Sequence, residues 1–275
     1  MMDIRRAAKI SVVIPTYGRV SLNDSIESAT FQSLKPSEIL VVVDESKAEI
    51  SNVSASITNH NLIRVIPSKG AGPATARNTG ILESKYEYIA FLDDDDIWIE
   101  SKLESQMNTI NSLHLSPEDH FVLSSSAIYV TENYAIGQPN NLYTGSRLLE
   151  SLYKPTWRKT TSCIPTPTIL IPTTLAKKNL FDEDLYLRED IHWLSIVEAN
   201  GARIIQTSEA LVLVNYEPDR SRSNESIRNV WKSFGKFYSI NRKASFYFLF
   251  GVGLRSLLLK SYSKVKDYIK RRKQK

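Results

Sequence analysis

The chain has 275 residues, which suits one large domain, and a formal net charge of +5, which favours anionic partners without distinguishing among them. Its single cysteine, Cys163, excludes an intrachain disulfide, so nothing indicates an oxidising compartment. Residues 1–9 lack the apolar core of a signal peptide, and no run reaches the ~20 apolar residues of a membrane-spanning helix, so a cytoplasmic protein is expected.

The first hundred residues alternate patterns typical of strands with patterns typical of helices. Short apolar runs, mostly β-branched, predict strands at residues 10–14, 39–43, 61–66 and 86–92. Helical periodicity lies between and after them: before Pro36, after the Gly72-Pro73 pair and over residues 99–113. This alternation predicts an α/β fold with a Rossmann-like, mostly parallel sheet that helices cover on both faces.

The second half of the chain has a less regular pattern. A helix is expected over residues 187–200, ended by the Asn200-Gly201 pair. Residues 131–165 are predicted to be loops, because Gly, Pro and Asn are scattered through them. Further strands are predicted at residues 121–130, 168–171, 202–206 and 211–215.

Polar groups follow three of the predicted strands, in the segments 16–19, 44–46 and 93–96. Because ligands bind beyond the carboxyl ends of strands in such sheets, these segments are expected to form one site. The last segment is a run of four aspartates, whose mutual repulsion a bound divalent cation would relieve. Mg²⁺ and Mn²⁺ prefer oxygen ligands and share them with substrate phosphates. The alternative is a solvated acidic turn that caps the next helix.

Four segments resemble glycosyltransferase family 2, an inverting family with the GT-A fold, and they occur in the family's order and spacing. They are residues 11–17 (SVVIPTY), 39–44 (ILVVVD), 74–80 (ATARNTG) and 88–96 (YIAFLDDDD). The resemblance implies a GT-A domain over residues 1–240, with a nucleotide-binding half at about 10–110 and an acceptor-binding half at about 111–240. It also implies a divalent metal, Mn²⁺ or Mg²⁺, held by the Asp-x-Asp motif, and a catalytic base further along the chain.

Carried over by position, the resemblance assigns donor binding to the three strand ends and to the helix after Pro73. The residues are Pro15, Thr16, Tyr17, Arg19, Asp44, Glu45, Arg77, Asp93 and Asp94. Asp95 is expected to bind the metal, with Asp93 as a second ligand, since alternate residues of an extended segment point to one side. Asp44-Glu45-Ser46 departs from the two aspartates and Gly-Ser of many members, which alters how the nucleobase is held.

Inverting sugar transfer needs a base that removes the proton from the acceptor hydroxyl. Family members carry a Glu-Asp pair at a helix start in this region, and the resemblance assigns the base to Asp190. Asp190 and Trp193 share a helix face by their spacing, so Trp193 is expected to wall the acceptor side. Glu189 and Trp157 are further acceptor-side candidates. Alternatively, Glu189 and Asp190 only complement the helix dipole.

Residues 241–275 are interpreted as a basic, aromatic-rich, amphipathic C-terminal extension. From residue 242 onward they hold eleven Lys and Arg residues and one acid, Asp267, interleaved with aromatic residues and leucines. This composition predicts an interfacial helix in peripheral contact with an anionic membrane. The alternatives are a helix packed on the catalytic domain with a frayed basic end, and nucleic-acid binding, for which the sequence has no recognition module.

The expected function is metal-dependent, inverting transfer of a sugar from a nucleotide-diphosphate donor, expected to be a UDP-sugar, to a hydroxyl of a glycan or lipid-linked acceptor. This reaction would serve cell-surface polysaccharide biosynthesis at the inner face of the cell membrane. One alternative is a nucleotidyltransferase, whose glycine-rich loop has no counterpart in the short turn at residues 16–19. The other is a non-catalytic relative that binds nucleotide sugars or membranes, and the acids at positions 93, 95 and 190 argue against it.

Overall fold

The computed structural model describes residues 9–57, 61–131, 134–138, 142–145, 147–153, 164–185, 187–216 and 227–249. Within them the strands are β1 (Ile10–Thr16), β2 (Glu38–Val43), β3 (Ile63–Pro67), β4 (Tyr88–Phe91), β5 (Ile97–Trp98), β6 (Phe121–Val130), β7 (Ala135–Gln138), β8 (Ile169–Pro172) and β9 (Arg203–Asn215). The α-helices are α1 (Leu22–Thr30), α2 (Ile50–Ser56), α3 (Pro73–Glu83), α4 (Lys102–Ser112), α5 (Leu148–Tyr153), α6 (Thr173–Lys178), α7 (Glu189–Ala199), α8 (Ile227–Ile240) and α9 (Arg242–Phe248).

The strands form one sheet in the order β3-β2-β1-β4-β8-β6-β9-β5, and β7 pairs with β6. Strands β1 to β4 run parallel, whereas β8 is antiparallel to β4. The carboxyl ends of β1, β2 and β4 therefore meet at one edge, where the strand order reverses beside β1 and an open α/β sheet leaves a crevice. The predicted α/β fold is confirmed, with a parallel first half and a mixed second half.

Two features of the second half differ from the sequence expectation. The patterns at residues 202–206 and 211–215 belong to one strand, β9, which continues through exposed polar residues such as Glu209. Irregular register with β6 between Ser124 and Ile128 accommodates this polar stretch without ending the pairing. The predicted loop region contains β7 and α5, whose lengths of four and six residues are too short for a clear periodicity.

Apolar residues of the sheet alternate between two hydrophobic layers, one on each face. In β1, Val12 and Ile14 pack into the layer covered by α1 and α4. Val13, between them, packs into the opposite layer, which α3, α6 and α7 cover. Burial on both faces explains why the central strands have continuous apolar runs rather than alternating ones.

Helix α3 approaches β1 closely at Gly80. A Cβ atom there would lie 2.3 Å from Cγ1 and 3.0 Å from Cγ2 of Val13, which is fully buried. We expect Gly80→Ala to lower the free energy of unfolding by about 1–3 kcal/mol through overpacking. Urea denaturation measures this against Gly235→Ala in α8, where no atom of the described residues lies within 4 Å of the added Cβ. The control should gain up to about 1 kcal/mol from helix propensity, and equal losses in both variants would contradict the close approach.

A third hydrophobic cluster joins the C-terminal helices to the domain. Phe237 of α8 and Phe248 of α9 are buried together against α5 and α7. The boundary predicted at residue 240 falls between these two packed helices, and α9, within the predicted extension, packs on the domain. The rest of the predicted extension, residues 250–275, lies outside the described residues. None of the described helices is both long and apolar enough to cross a membrane.

Candidate active site

The turn after β1 is tied to the aspartate run that follows β4. The Thr16 hydroxyl donates a hydrogen bond to Asp94 Oδ2 at 2.6 Å and accepts one from the Gly18 backbone N–H at 2.9 Å. Gly18 has a φ of +82°, a left-handed conformation that suits glycine. Pro15 is buried within β1, opposite Val42 of β2. The sequence prediction that these strand ends lie together agrees with this geometry.

Arg19 brings a cation to the same place. Its Nη1 pairs with Asp94 Oδ1 at 2.9 Å and with a carboxylate oxygen of Asp95, while its Nε donates to the Tyr17 hydroxyl. Its guanidinium lies 4.6 Å from the Tyr17 ring centre, and the Lys47 amine lies 5.2 Å from the same ring. Tyr17 thus presents a half-buried ring with two cations beside it. Lys47 was not among the candidates from the sequence, because no motif marks it.

The carboxylates of the aspartate run differ in their surroundings. Burial raises the pKa of Asp95 to about 6, helped by the charges of Asp93 and Asp94 and opposed by Arg19. Burial also raises the pKa of Asp96, whose Oδ1 accepts a backbone hydrogen bond from the end of β9 at 2.8 Å. Asp96 therefore anchors β9, while Asp95 remains partly exposed among like charges.

Asp44, at the end of β2, is held by its own loop and by the start of α3. Its Oδ1 accepts hydrogen bonds from the backbone and the hydroxyl of Ser46, and its Oδ2 accepts one from the Gly72 N–H at 2.8 Å. These bonds outweigh the opposing effect of burial and lower the pKa of Asp44 below its usual value. Glu45 beside it is exposed. The carboxylate of Asp44 thus joins the ends of β2 and α3.

Arg77 of α3 is the buried cation that links the acidic groups of the site. Only 6% of its side chain is exposed, Nη2 pairs with Asp93 at 2.7 Å, and Nη1 pairs with Glu189 at 3.0 Å. Its Nε is buried without a hydrogen-bond partner among the described residues. The guanidinium also lies 5.6 Å from the ring centre of Phe181, a contact that no sequence pattern indicated. Arg77 therefore joins the aspartate run to the start of α7.

Helix α7 begins with the candidate base. Arg188 precedes the helix with a left-handed φ of +64°, and Glu189 and Asp190 form its first turn. Asp190 is half-buried, and its Oδ1 accepts the Ile191 N–H at 2.8 Å. Burial raises the pKa of Asp190 and raises that of Glu189 to about 7, while the charge of Arg77 opposes both shifts. A carboxylate with a raised pKa beside one cation is suited to accept a proton.

Trp193 is a core residue, so the expectation that it walls the acceptor side is wrong. Its ring stacks on Phe181 with a centroid distance of 4.4 Å, and its Nε1 donates to a backbone carbonyl oxygen. Its spacing from Asp190 places both residues on one face of α7. Trp193, within the first turns of the helix, is nevertheless already buried in the core. Through Phe181, Trp193 backs the guanidinium of Arg77. Trp157, also predicted on the acceptor side, lies outside the described residues.

The aspartate run offers oxygen ligands suited to a divalent cation. Among the described residues, no three His, Cys, Asp or Glu side chains are grouped so as to hold a metal by themselves. Mg²⁺, however, is often held by one or two carboxylates together with substrate phosphates. Asp95 fits that arrangement because it lies among like charges that a cation would relieve. Each of these carboxylates also pairs with an arginine, Asp95 with Arg19 and Asp93 with Arg77, so a bound cation would compete with these ion pairs.

Two curated relatives illustrate what the chain is similar to. An uncharacterized glycosyltransferase of Rickettsia conorii, RC0461, is 32% identical over 198 residues, which cover 70% of this chain and 31% of the relative. This chain thus spans about a third of that protein's length. The Escherichia coli protein WfgD, a UDP-Glc:alpha-D-GlcNAc-diphosphoundecaprenol beta-1,3-glucosyltransferase, is 27% identical over 246 residues, covering 87% of this chain and 90% of WfgD.

Solved structures of S. aureus TarS share the architecture. The UDP-GlcNAc complex of TarS 1-349 has a TM-score of 0.62 at 20% identity, covering 85% of this chain and 67% of that one. The UDP complex has a TM-score of 0.59, also at 20% identity, and covers 91% of this chain and 68% of the other. The GT-A fold expected from the sequence is confirmed by this likeness.

The sequence also matches a protein family over nearly all of the chain from β1 to β8 and into α6. The match to the family Glycosyl transferase family 2 runs over residues 11–176, more than half of the chain. It includes all four segments on which the resemblance rests and the whole aspartate run. Asp190 lies beyond the matched residues. The chain belongs to glycosyltransferase family 2.

Proposed function

We propose that this chain is an inverting, metal-dependent glycosyltransferase that moves a sugar from a UDP-sugar to a hydroxyl of a lipid-linked or glycan acceptor. The observation that carries the proposal is the pair of ion pairs made by Arg77. They connect Asp93 of the aspartate run to Glu189, which lies beside the candidate base. This link supports the proposal that the acids assigned to the donor and those assigned to the acceptor border a common region, as direct transfer between two substrates requires. The UDP and UDP-GlcNAc complexes of TarS support a uridine nucleotide donor.

The donor is proposed to lie along the ends of β1, β2 and β4. Tyr17 offers a ring against which a nucleobase or ribose can pack, and Arg19 and Lys47 beside it supply charge complementary to a diphosphate. A metal held at Asp95 would neutralise the charge that grows on the departing diphosphate. The remaining donor contacts are proposed for the residues carried over from the family: Pro15, Thr16, Asp44, Glu45, Arg77, Asp93 and Asp94.

Asp190 is proposed to remove the acceptor proton as the hydroxyl oxygen attacks the anomeric carbon from the face opposite the diphosphate. The C–O bond to the acceptor forms as the bond to the diphosphate breaks, so the configuration inverts in one displacement. Glu189 holds Arg77 in place, and the cation stabilises the ionised form of the neighbouring base. No covalent bond between sugar and protein is required.

The acceptor is proposed to be carried by a lipid. WfgD is named as a glucosyltransferase with an acceptor on diphosphoundecaprenol, which supports this class of substrate. A lipid carrier would place the reaction in cell-surface polysaccharide biosynthesis, at the cytoplasmic, inner face of the membrane. Peripheral contact through residues 241–275 remains part of this proposal.

The experiment that tests the donor and metal assignment uses Asp95→Asn, which removes one charge while keeping the side-chain shape. Calorimetry with UDP-GlcNAc and UDP-glucose, with and without Mn²⁺, measures donor affinity. We expect Mn²⁺ to strengthen donor binding in the unchanged protein, and Asp95→Asn to remove most of that metal-dependent gain, because it removes a carboxylate ligand. Asp24→Asn on α1 is the matched control, since Asp24 is an exposed aspartate on another element.

If Mn²⁺ strengthens donor binding by the same factor in Asp95→Asn, Asp95 does not bind the metal. Turnover is followed in parallel as release of UDP from each donor. Tight donor binding with neither transfer nor slow hydrolysis of any tested nucleotide sugar would instead favour a non-catalytic binding protein.

A further inference from the structure

Helices α8 and α9 form a hairpin whose inner side packs on the domain. Phe237 and Phe248 are fully buried there, and Ile191 of α7 packs against the same cluster. The guanidinium of Arg188 lies 5.0 Å from the ring centre of Phe248, one residue before the acids that begin α7. The hairpin is therefore attached directly to the helix that carries the candidate base, Asp190.

The outer side of this hairpin carries an aromatic patch, defined as Trp231, Phe234, Tyr238 and Phe246. Trp231 is 55% exposed, Phe246 is 47% exposed and Tyr238 is 39% exposed. Phe234 contacts the other three rings at centroid distances of 5.6 to 5.8 Å, so they form one continuous surface. No described residue outside the hairpin is in ring contact with the patch. A contiguous exposed apolar surface of this kind marks an interaction site.

The charged residues of the hairpin itself all have one sign. Lys232, Arg242 and Lys243 are exposed on the same hairpin, and the guanidinium of Arg242 lies 5.5 Å from the Tyr238 ring centre. Residues 227–275 contain 14 Lys and Arg residues and one acid, which gives a formal charge of +13, while the preceding residues carry −8 of the total of +5. The positive charge of the protein is thus concentrated in the part of the sequence that includes the aromatic patch.

We propose that the aromatic patch docks on the surface of an anionic lipid bilayer. Trp and Tyr favour the headgroup region of a membrane, Phe reaches the acyl boundary, and Lys and Arg attract anionic headgroups. A protein partner is less suited, because lysine is depleted at protein interfaces, whereas Lys232 and Lys243 are exposed on this hairpin. Docking of this surface would hold α7 near the membrane. The benefit of this position for sugar transfer to a lipid-linked acceptor rests on the proposed function.

The test measures binding of the full chain to vesicles of phosphatidylglycerol and phosphatidylcholine in equal parts, and to vesicles of phosphatidylcholine alone. Sedimentation at low salt is expected to show binding to the anionic vesicles only. The double variant Trp231→Ala/Phe246→Ala should bind about tenfold more weakly, because it removes the two most exposed rings. Replacing Lys232, Arg242 and Lys243 with Gln should weaken binding about fivefold for each charge removed at low salt.

The matched control is Phe31→Ala, which removes an exposed aromatic ring that also has a lysine beside it but lies at the end of α1. This control should bind vesicles as the unchanged protein does. Release of UDP from a soluble donor should be the same in all variants, which separates loss of docking from loss of the proposed catalysis. Circular dichroism verifies that each variant is folded.

Equal vesicle binding by Trp231→Ala/Phe246→Ala and the unchanged protein would overturn the proposal. Vesicle binding would then be assigned to residues 250–275. Absence of binding by the unchanged protein would overturn it as well. A dimer in solution that the double variant dissociates would show that a second copy, not lipid, covers the aromatic patch. Vesicle binding by a chain that releases no UDP would leave the docking surface standing and refute the proposed activity.

Discussion

Arg77→Met is expected to destabilise the protein by about 3–5 kcal/mol, the usual cost of leaving buried charges without their partner. The substitution keeps an unbranched apolar side chain in place but removes the cation that pairs with Asp93 and Glu189. Both acids would then lie near Asp190 with their mutual repulsion uncompensated, since the charge of Arg77 opposes the rise in the pKa of Glu189 and of Asp190. Urea denaturation followed by circular dichroism measures the loss.

Arg64→Met is the matched control for Arg77→Met. Arg64 also pairs with two carboxylates, Glu38 at 3.2 Å and Glu83 at 3.5 Å, but 34% of its side chain is exposed. An ion pair with that exposure is expected to contribute about 0–1 kcal/mol. A similar small loss in Arg77→Met would contradict the role of Arg77 as the cation that joins the two halves of the site.

A double-mutant cycle distinguishes the loss of pairing from a general packing defect. In the Arg77→Met background, Glu189→Gln removes a carboxylate that no longer has a partner, so it should cost less stability than in the unchanged protein. We expect a coupling energy of about 1–3 kcal/mol for residues in direct contact. Additive losses would mean that the two side chains do not act as a pair.

The parallel half of the fold could be predicted from the sequence because the physics there is local. Strands β1, β2 and β4 are buried on both faces, so their apolar runs stand out between polar turns. Once the strands alternate with helices, parallel pairing brings the carboxyl ends of the strands to one edge. The approach of Thr16 to Asp94 across 78 residues follows from that topology alone.

Long-range contacts of single side chains could not be predicted in this way. The pair formed by Arg77 and Glu189 joins residues 112 positions apart, and no periodicity encodes it. Helical spacing correctly placed Trp193 on one face with Asp190, but it did not reveal how soon that face enters the core. Lys102 is a further example: it is fully buried, with its amine 4.0 Å from the Trp98 ring centre, although a helical lysine is ordinarily solvated.

Asp190→Asn is expected to lower the rate of sugar transfer by about 10²- to 10⁴-fold, the usual contribution of a general base. The amide has the same shape as the carboxylate, and its oxygen can still accept the Ile191 N–H, so the start of α7 should be unchanged. Donor affinity should stay the same, because Asp190 is proposed to act on the acceptor alone. Transfer to acceptor and calorimetric donor binding are measured side by side, with Asp184→Asn, an exposed acid in the segment before α7, as the matched control.

The dependence of the rate on pH provides a second, independent readout of Asp190. Burial raises the pKa of this carboxyl above the ordinary value for aspartate, about 3.9. A base works only when ionised, so the transfer rate should fall as the pH drops through the raised pKa, and this acid limb should lie above pH 4. Asp190→Asn has no carboxylate to titrate, so its residual rate should lose the part of the acid limb that belongs to residue 190. Full activity in Asp190→Asn would exclude this carboxylate as the base, whereas a weaker donor affinity with an unchanged rate at saturation would move its role to the donor side of the cleft.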